Sequence, residues 1–187
     1  SQTRSLLLNA AEQLMVEEGH NGVTSRNLAQ KAGLTHQSIF YYFKSMDDLF
    51  VAILDRQTET FIDQFNVMLA SERPIRALWN LTNDPKSAKL ELEFKALASH
   101  REPIRIAMVR QIEQFRNLAT EALSLAYDIS NKDTIFSPMA SAILVGCIGR
   151  YLVLEESLDI SLGHTQARAL ADYLLDLLEE KTVSEVK

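Results

Sequence analysis

Between Thr24 and Lys44 the chain gathers the side chains best suited to grip a nucleic acid. They are Thr24, Ser25 and Arg26, then Thr35, His36, Gln37 and Ser38, and finally Tyr41, Tyr42 and Lys44. Hydroxyls, phenols and lysines suit phosphate oxygens, whereas arginine, histidine, glutamine and serine can also read base edges. By position, Thr24, Tyr41 and Lys44 read as phosphate contacts, and Arg26, His36, Gln37 and Ser38 as base readers. The other chemistry-bearing residues assemble less well. Glu91, Glu93, His100 and Cys147 offer metal-ligand types, but two carboxylates two residues apart face different ways on a helix. There is no His-x-x-x-His pair, nucleophile elbow or phosphate loop. The expectation is therefore a protein that is not an enzyme and holds neither metal nor cofactor. His100 and Arg101 read as cations relieving the dipole at a helix end.

The elements that position the first set follow from local signals. Thr24 caps a helix whose apolar face is Leu28, Ala29 and Ala32, and Gly33 suits the left-handed residue that ends it. Thr35 caps a short second helix, on which Ile39, Tyr42 and Phe43 fall at helical spacing and point inward. Gln37, Ser38, Tyr41 and Lys44 then lie on the outer side. A preceding helix over about 3–18, with Leu7, Ala10, Ala11, Leu14 and Met15 as its stripe, supplies the third wall. Two short helices cannot bury enough apolar surface alone.

Scarce Gly and Pro (6 and 4) and the lack of strand-like alternation predict an all-α protein of about nine helices in 187 residues. The net charge is −6, yet residues 1–44 sum to +1 and the remainder to −7, so the acid lies away from the binding stretch. A head this weakly basic holds DNA lightly. The lone Cys147 excludes an intramolecular disulfide and fits a reducing, cytoplasmic setting. No signal peptide opens the chain, which begins at Ser1 rather than Met and so leaves room for residues upstream, a basic arm among them. Residues 135–154 are apolar enough to raise a membrane span, but Pro138, Gly146, Gly149 and the deep Arg150 favour a helix buried on more than one side.

Further helices are expected at about 45–70, 74–82, 85–98, 103–127, 136–156 and 164–180. Ser45 with Asp48 starts the first of these, and Asp84-Pro85 starts the third. On the fifth, Ala142, Gly146 and Gly149 form a small-residue ridge that lets another helix approach. On the last, Leu170, Leu174 and Leu177 continue an apolar stripe. Together they predict a four-helix face shared by two subunits; the alternative is that both helices close their own core. Gln111 lies on a buried stripe, either satisfied by a neighbour or lining a cavity. A small-molecule pocket, if built, is expected near Trp79, Phe94, Met108, Gln111, Phe115 and Cys147, for all of which plain core is the competing reading.

The stretch Thr24–Lys44, after an amphipathic helix and before Ser45-Met46-Asp47-Asp48-Leu49, resembles the DNA-binding head of the TetR family of bacterial transcriptional regulators. The run Ile39-Phe40-Tyr41-Tyr42-Phe43-Lys44 resembles that family's third-helix signature. The resemblance implies a helix-turn-helix head at 1–45 and a ligand-binding and dimerisation domain at 46–187. It further implies a cytoplasmic homodimer on a palindromic double-stranded DNA operator, with helices 8 and 9 pairing the subunits. A small-molecule effector would move helix 4 and respace the heads. Phe40 departs from a frequent tyrosine and Met46 from a frequent lysine, and both departures weaken the grip on the backbone. A helical sensor or adaptor that dimerises without specific DNA binding is the alternative.

Overall fold

The computed structural model describes residues 1–71, 73–124 and 137–185. Within them the chain is helical throughout: α1 (Gln2–Glu18), a 3-10 turn (His20–Gly22), α2 (Ser25–Ala32), α3 (His36–Tyr42), α4 (Met46–Leu69), α5 (Pro74–Thr82), α6 (Pro85–Ala98), α7 (Glu102–Ser124), α8 (Pro138–Glu156) and α9 (His164–Glu185). The expected starts are made by side chains. Thr24 Oγ1 accepts from the Asn27 amide, Thr35 Oγ1 from Ser38, Ser45 Oγ from Asp48, Asp84 Oδ2 from Ser87 and Ser137 Oγ from Ala140. Each satisfies an amide that the first helical turn leaves without a backbone partner. Gly33 closes α2 at φ 65°, ψ 32°, a conformation costly for any residue with a Cβ. α9 continues to Glu185, beyond the expected end near 180, because no Gly or Pro interrupts it. The expected last turn of α7 and first residue of α8 fall outside the described residues.

The chain divides into two compact units, and α4, α6 and α7 each supply residues to both. The first unit contains residues 1–61 and 89–112. Its core joins Leu7, Leu14 and Met15 of α1 and Leu28 of α2 to Ile39 of α3 and Phe43 just beyond it. Phe50, Ile53 and Leu54 of α4, Phe94 of α6 and Ile104 and Met108 of α7 complete it. Phe50 and Phe94 meet edge to face, their centroids 6.3 Å apart. The three-helix head is therefore not a free-standing core: α4, α6 and α7 close it. Polar contacts reinforce this closure. Arg101 donates to Asp47 at 2.8 Å, Arg110 to Asp55 at 2.5 Å, and the Gln111 amide donates to Leu54 O at 3.0 Å and Thr58 Oγ1 at 3.1 Å. Gln111 is thus a satisfied buried amide.

The second unit contains residues 62–88 and 113–187. Here α5 packs on α8 and α9. Ile75, Leu78 and Trp79 of α5 are buried, as are Ala142, Leu152 and Val153 of α8 and Leu175 of α9. Arg76 donates to Asp172 at 2.6 Å and to Asp176 at 2.8 Å, and Arg73 also donates to Asp176. These bonds, Arg76 first, hold the Asp176 carboxyl below the ordinary aspartate range.

Candidate nucleic-acid interface

α3 is seven residues long and has two sides. Ile39 and the following Phe43 are buried, and Tyr42 is half-buried against the same core. His36, Gln37, Phe40, Tyr41 and Lys44 are exposed, with Tyr41 at 82% the most open of the large side chains on this face. Positions 36, 37, 40, 41 and 44 recur every three or four residues, so they form one outward stripe. Thr24, Arg26 and Thr35 are exposed beside it, and Ser25 is half-buried. Thr24, Ser25, Arg26, Asn27 and His36 line an open hollow of about 440 Å³ between the starts of α2 and α3.

Several of these groups are already engaged with one another. His36 Nε2 lies 2.8 Å from Ser25 Oγ, tying the first turn of α3 to that of α2. The His36 ring leans on Phe40, centroids 5.0 Å apart. The Ser38 hydroxyl lies 2.8 Å from Thr35 Oγ1 and is half-buried, so it supports the cap as well as facing the stripe. Tyr42 meets Tyr41 edge-on at 5.0 Å. Of the four cations in the head, Lys31 pairs with Glu17 at 2.6 Å and Arg4 lies over the Phe43 ring at 5.4 Å. Arg26 and Lys44 make no ion pair among the described residues. The arrangement can offer two cations, a phenol and several short donors to an anionic backbone, with Gln37 and the His36–Ser25 pair between them.

The model of bacterial regulatory proteins, tetR family, matches residues 7–53, which cover α1 to α3 and the start of α4. The head of the chain is thus similar to the DNA-binding head of the TetR family. Among the relatives of this chain is the HTH-type transcriptional repressor BepR of Brucella suis, 34% identical over 73 residues. That match spans 39% of this chain and 34% of the relative, about a third of its length. The fold is shared over nearly the whole chain with solved regulators. E. coli NemR in its reduced form superposes with a TM-score of 0.72 at 22% identity, covering 99% of this chain and 96% of that one. A TetR transcription regulator from Haloarcula marismortui gives 0.73 at 19% identity, covering 94% and 97%. Among the described residues no group of three or more His, Cys, Asp or Glu is placed to hold a metal. Glu91 pairs with Lys95 and Glu93 with His20.

The residues expected at the other two sites fall as follows. Phe94, Met108 and Gln111 lie in the first unit, the two apolar ones in its core cluster. Trp79 and Phe115 lie in the second, buried and half-buried, and Cys147 there is exposed on α8. Of the small-residue ridge, Ala142 and Gly149 are buried within the unit. A Cβ on Gly149 would stand 2.5 Å from Thr82 Oγ1, so the helix approaching there is α5 of the same chain. Gly146 differs, for a Cβ there meets nothing within 4 Å. On α9, Leu170, Leu174 and Leu177 are exposed by 60%, 49% and 40%. Sequence reasoning missed their counterparts on α8, the exposed Leu144, Ile148 and Tyr151. Their spacing of four and three was readable, but α8 is apolar on nearly every side, which hides any single stripe. α8 is long and apolar enough to cross a membrane by length and composition, with a mean hydropathy of 1.4 in its most apolar window. Its two apolar faces, one on α5 and one outward, account for that character.

Proposed function

We propose that this chain is a DNA-binding transcriptional repressor working in the cytoplasm as a homodimer on a palindromic operator, and that a small-molecule effector releases it. The outward stripe of α3 carries the reading: Gln37, Tyr41 and Lys44 stand exposed on a helix whose opposite side is locked into the core. DNA binding is assigned to residues 1–45, and effector binding and dimerisation to 46–187. Thr24, Tyr41 and Lys44 contact phosphates, Arg26, His36, Gln37 and Ser38 read bases, and Ser25, Thr35 and Tyr42 hold them in place. The exposed apolar rows Leu144, Ile148 and Tyr151 on α8 and Leu170, Leu174 and Leu177 on α9, with Gly146 between, are assigned to the subunit seam rather than to lipid. Exposed apolar rows of this kind mark an interface. Trp79 and Phe115 are retained as the effector-facing residues.

Selection from random duplex DNA by the purified protein tests this. An inverted repeat with half-site centres one helical turn apart, about 34–36 Å, or a multiple of it, is expected. Recovery of no enriched sequence would leave the sensor or adaptor reading, which the head's slight positive charge favours. Sedimentation tests the seam: the wild type is expected to run as a dimer and Gly146→Glu as a monomer. An intact dimer in the variant rejects the assignment.

A further inference from the structure

The 3-10 turn His20–Gly22 joins α1 to α2, and a side chain 73 positions away holds its first residue. Glu93 Oε2 on α6 accepts the His20 backbone N–H at 2.8 Å and lies 2.5 Å from His20 Nδ1. Both partners are mostly shielded, with side-chain exposures of 27% and 20%. The carboxylate also lies against the backbone of Gly19, where a Cβ would be 3.4 Å from each of its oxygens. Glu93 cannot shift independently of its helix by much, because Leu90, Phe94 and Leu97 around it are buried in the core. The turn is in turn fastened forward. Gly22 O accepts from the Thr24 amide at 2.9 Å and from Asn27 Nδ2 at 2.9 Å. Thr24, Ser25 and Arg26 are the first residues of the DNA-facing set. Hydrogen bonds at both ends of the short turn thus link α6, through His20 and Gly22, to the start of α2.

We infer that Glu93 is a positioning residue for DNA reading. Through His20 it sets the turn that presents Thr24, Ser25 and Arg26, and it carries any displacement of α6 to the head by a route that does not run through α4. This rests on the DNA-binding reading above. The contacts of Arg101 and Gln111 act on α4, whereas Glu93 acts on the turn between α1 and α2, so the head is held at two separate places.

The sign of the effect on DNA distinguishes positioning from bulk electrostatics. Removing a carboxylate that lies against the head strengthens binding to every duplex if only charge matters. Loss of positioning weakens the specific complex alone. Operator affinity is measured by fluorescence anisotropy with a duplex selected by the wild type, beside a scrambled duplex of equal length. Glu93→Ala is expected to bind the operator about three- to tenfold more weakly, the scale of one partly shielded charged hydrogen bond, and the scrambled duplex as tightly or tighter. Glu93→Gln keeps an oxygen for the His20 N–H and is expected to recover most of the specific affinity. Should Glu93→Ala not fold, His20→Ala takes its place; it removes the ring contact but no carboxylate and keeps the backbone bond, so it is expected to weaken the operator complex by a smaller factor and leave the scrambled duplex unchanged. An unchanged ratio of specific to non-specific affinity in the folded variant overturns the inference. A wild type that selects no sequence overturns the DNA-binding reading instead.

Discussion

Two glycines on α8, three residues apart, should respond to alanine in opposite directions. In a helix interior Gly→Ala gains about 1 kcal/mol from propensity. At Gly146 nothing stands within 4 Å of the new methyl. In the separated subunit Gly146→Ala should therefore keep that gain and raise the melting point by about 2–4 °C for a chain of this size. At Gly149 the methyl would stand 2.5 Å from Thr82 Oγ1, 3.1 Å from Asn83 Nδ2 and 3.3 Å from Trp79 Cζ3. Two of those atoms cannot yield freely, because Thr82 Oγ1 donates to Trp79 O at 2.8 Å and Asn83 Nδ2 to the same oxygen at 2.6 Å. Relief costs either a shift of α8 from α5 or one of these bonds. Overpacking of this kind costs about 1–3 kcal/mol and a lost hydrogen bond about 1 kcal/mol. After the propensity gain of about 1 kcal/mol, Gly149→Ala should lose up to about 2 kcal/mol relative to wild type and fall below Gly146→Ala in either case. Thermal melts at two protein concentrations, which separate folding from association, measure both variants. Adding Thr82→Ala removes the opposing oxygen, so the double variant should be more stable than the sum of the single effects. Equal melting points for the two glycine variants would refute the close approach of α5 and α8.

Lys44→Ala should weaken binding to all duplexes and lower the salt slope by about one per head, read from affinities across salt concentrations; an unchanged slope removes Lys44 from the phosphates. Gln37→Ala should instead change the selected sequence, and uniform weakening would remove it from the base readers. Gln111→Ala should cost about 2 kcal/mol in denaturant titration, from a lost buried amide bond and the space it leaves, and wild-type stability would contradict the contacts to Leu54 and Thr58. Asp176 titrates below its ordinary range because Arg76, then Arg73, bind its carboxylate. Its contribution to stability is therefore full above about pH 4 and fades as pH falls through the lower folded value. Wild type should lose stability more steeply than Asp176→Asn below pH 4, and parallel curves would show that the pair is idle.

The head was legible because its signals are local. Thr24, Thr35 and Ser45 declare caps three residues ahead of the amides they bind, and the inward Ile39 and Phe43 fix which side of α3 faces out. Contacts distant in sequence left no such mark. Nothing within a few residues of His20 announces Glu93, and nothing near Asp47 announces Arg101. In α8 the difficulty is different. Apolar residues surround the helix, so periodicity cannot say that Ala142 and Gly149 turn to the interior while Leu144, Ile148 and Tyr151 turn out. α9 shows the same effect in milder form: Leu175 is buried, whereas Leu170, Leu174 and Leu177, which the spacing also marks, are not.

The charges of the head bear on how the proposed dimer would work. Lys31 is paired and Arg4 sits over Phe43, which leaves Arg26 and Lys44 as the cations of the DNA-facing side. Of these only Lys44 is assigned to phosphate, so the dimer neutralises two phosphates and has a salt slope of about −2, shallow beside repressors with slopes near −10. The departures at Phe40 and Met46 point the same way. A head with so little general attraction for DNA draws its affinity from holding two half-sites at once. The second contact is strong only while the spacing and tilt of the heads are right. Small displacements then matter in proportion. This makes the rigid attachments of the head, Glu93 on the α1–α2 turn and Arg101 and Gln111 on α4, as important to occupancy as the groups that touch DNA.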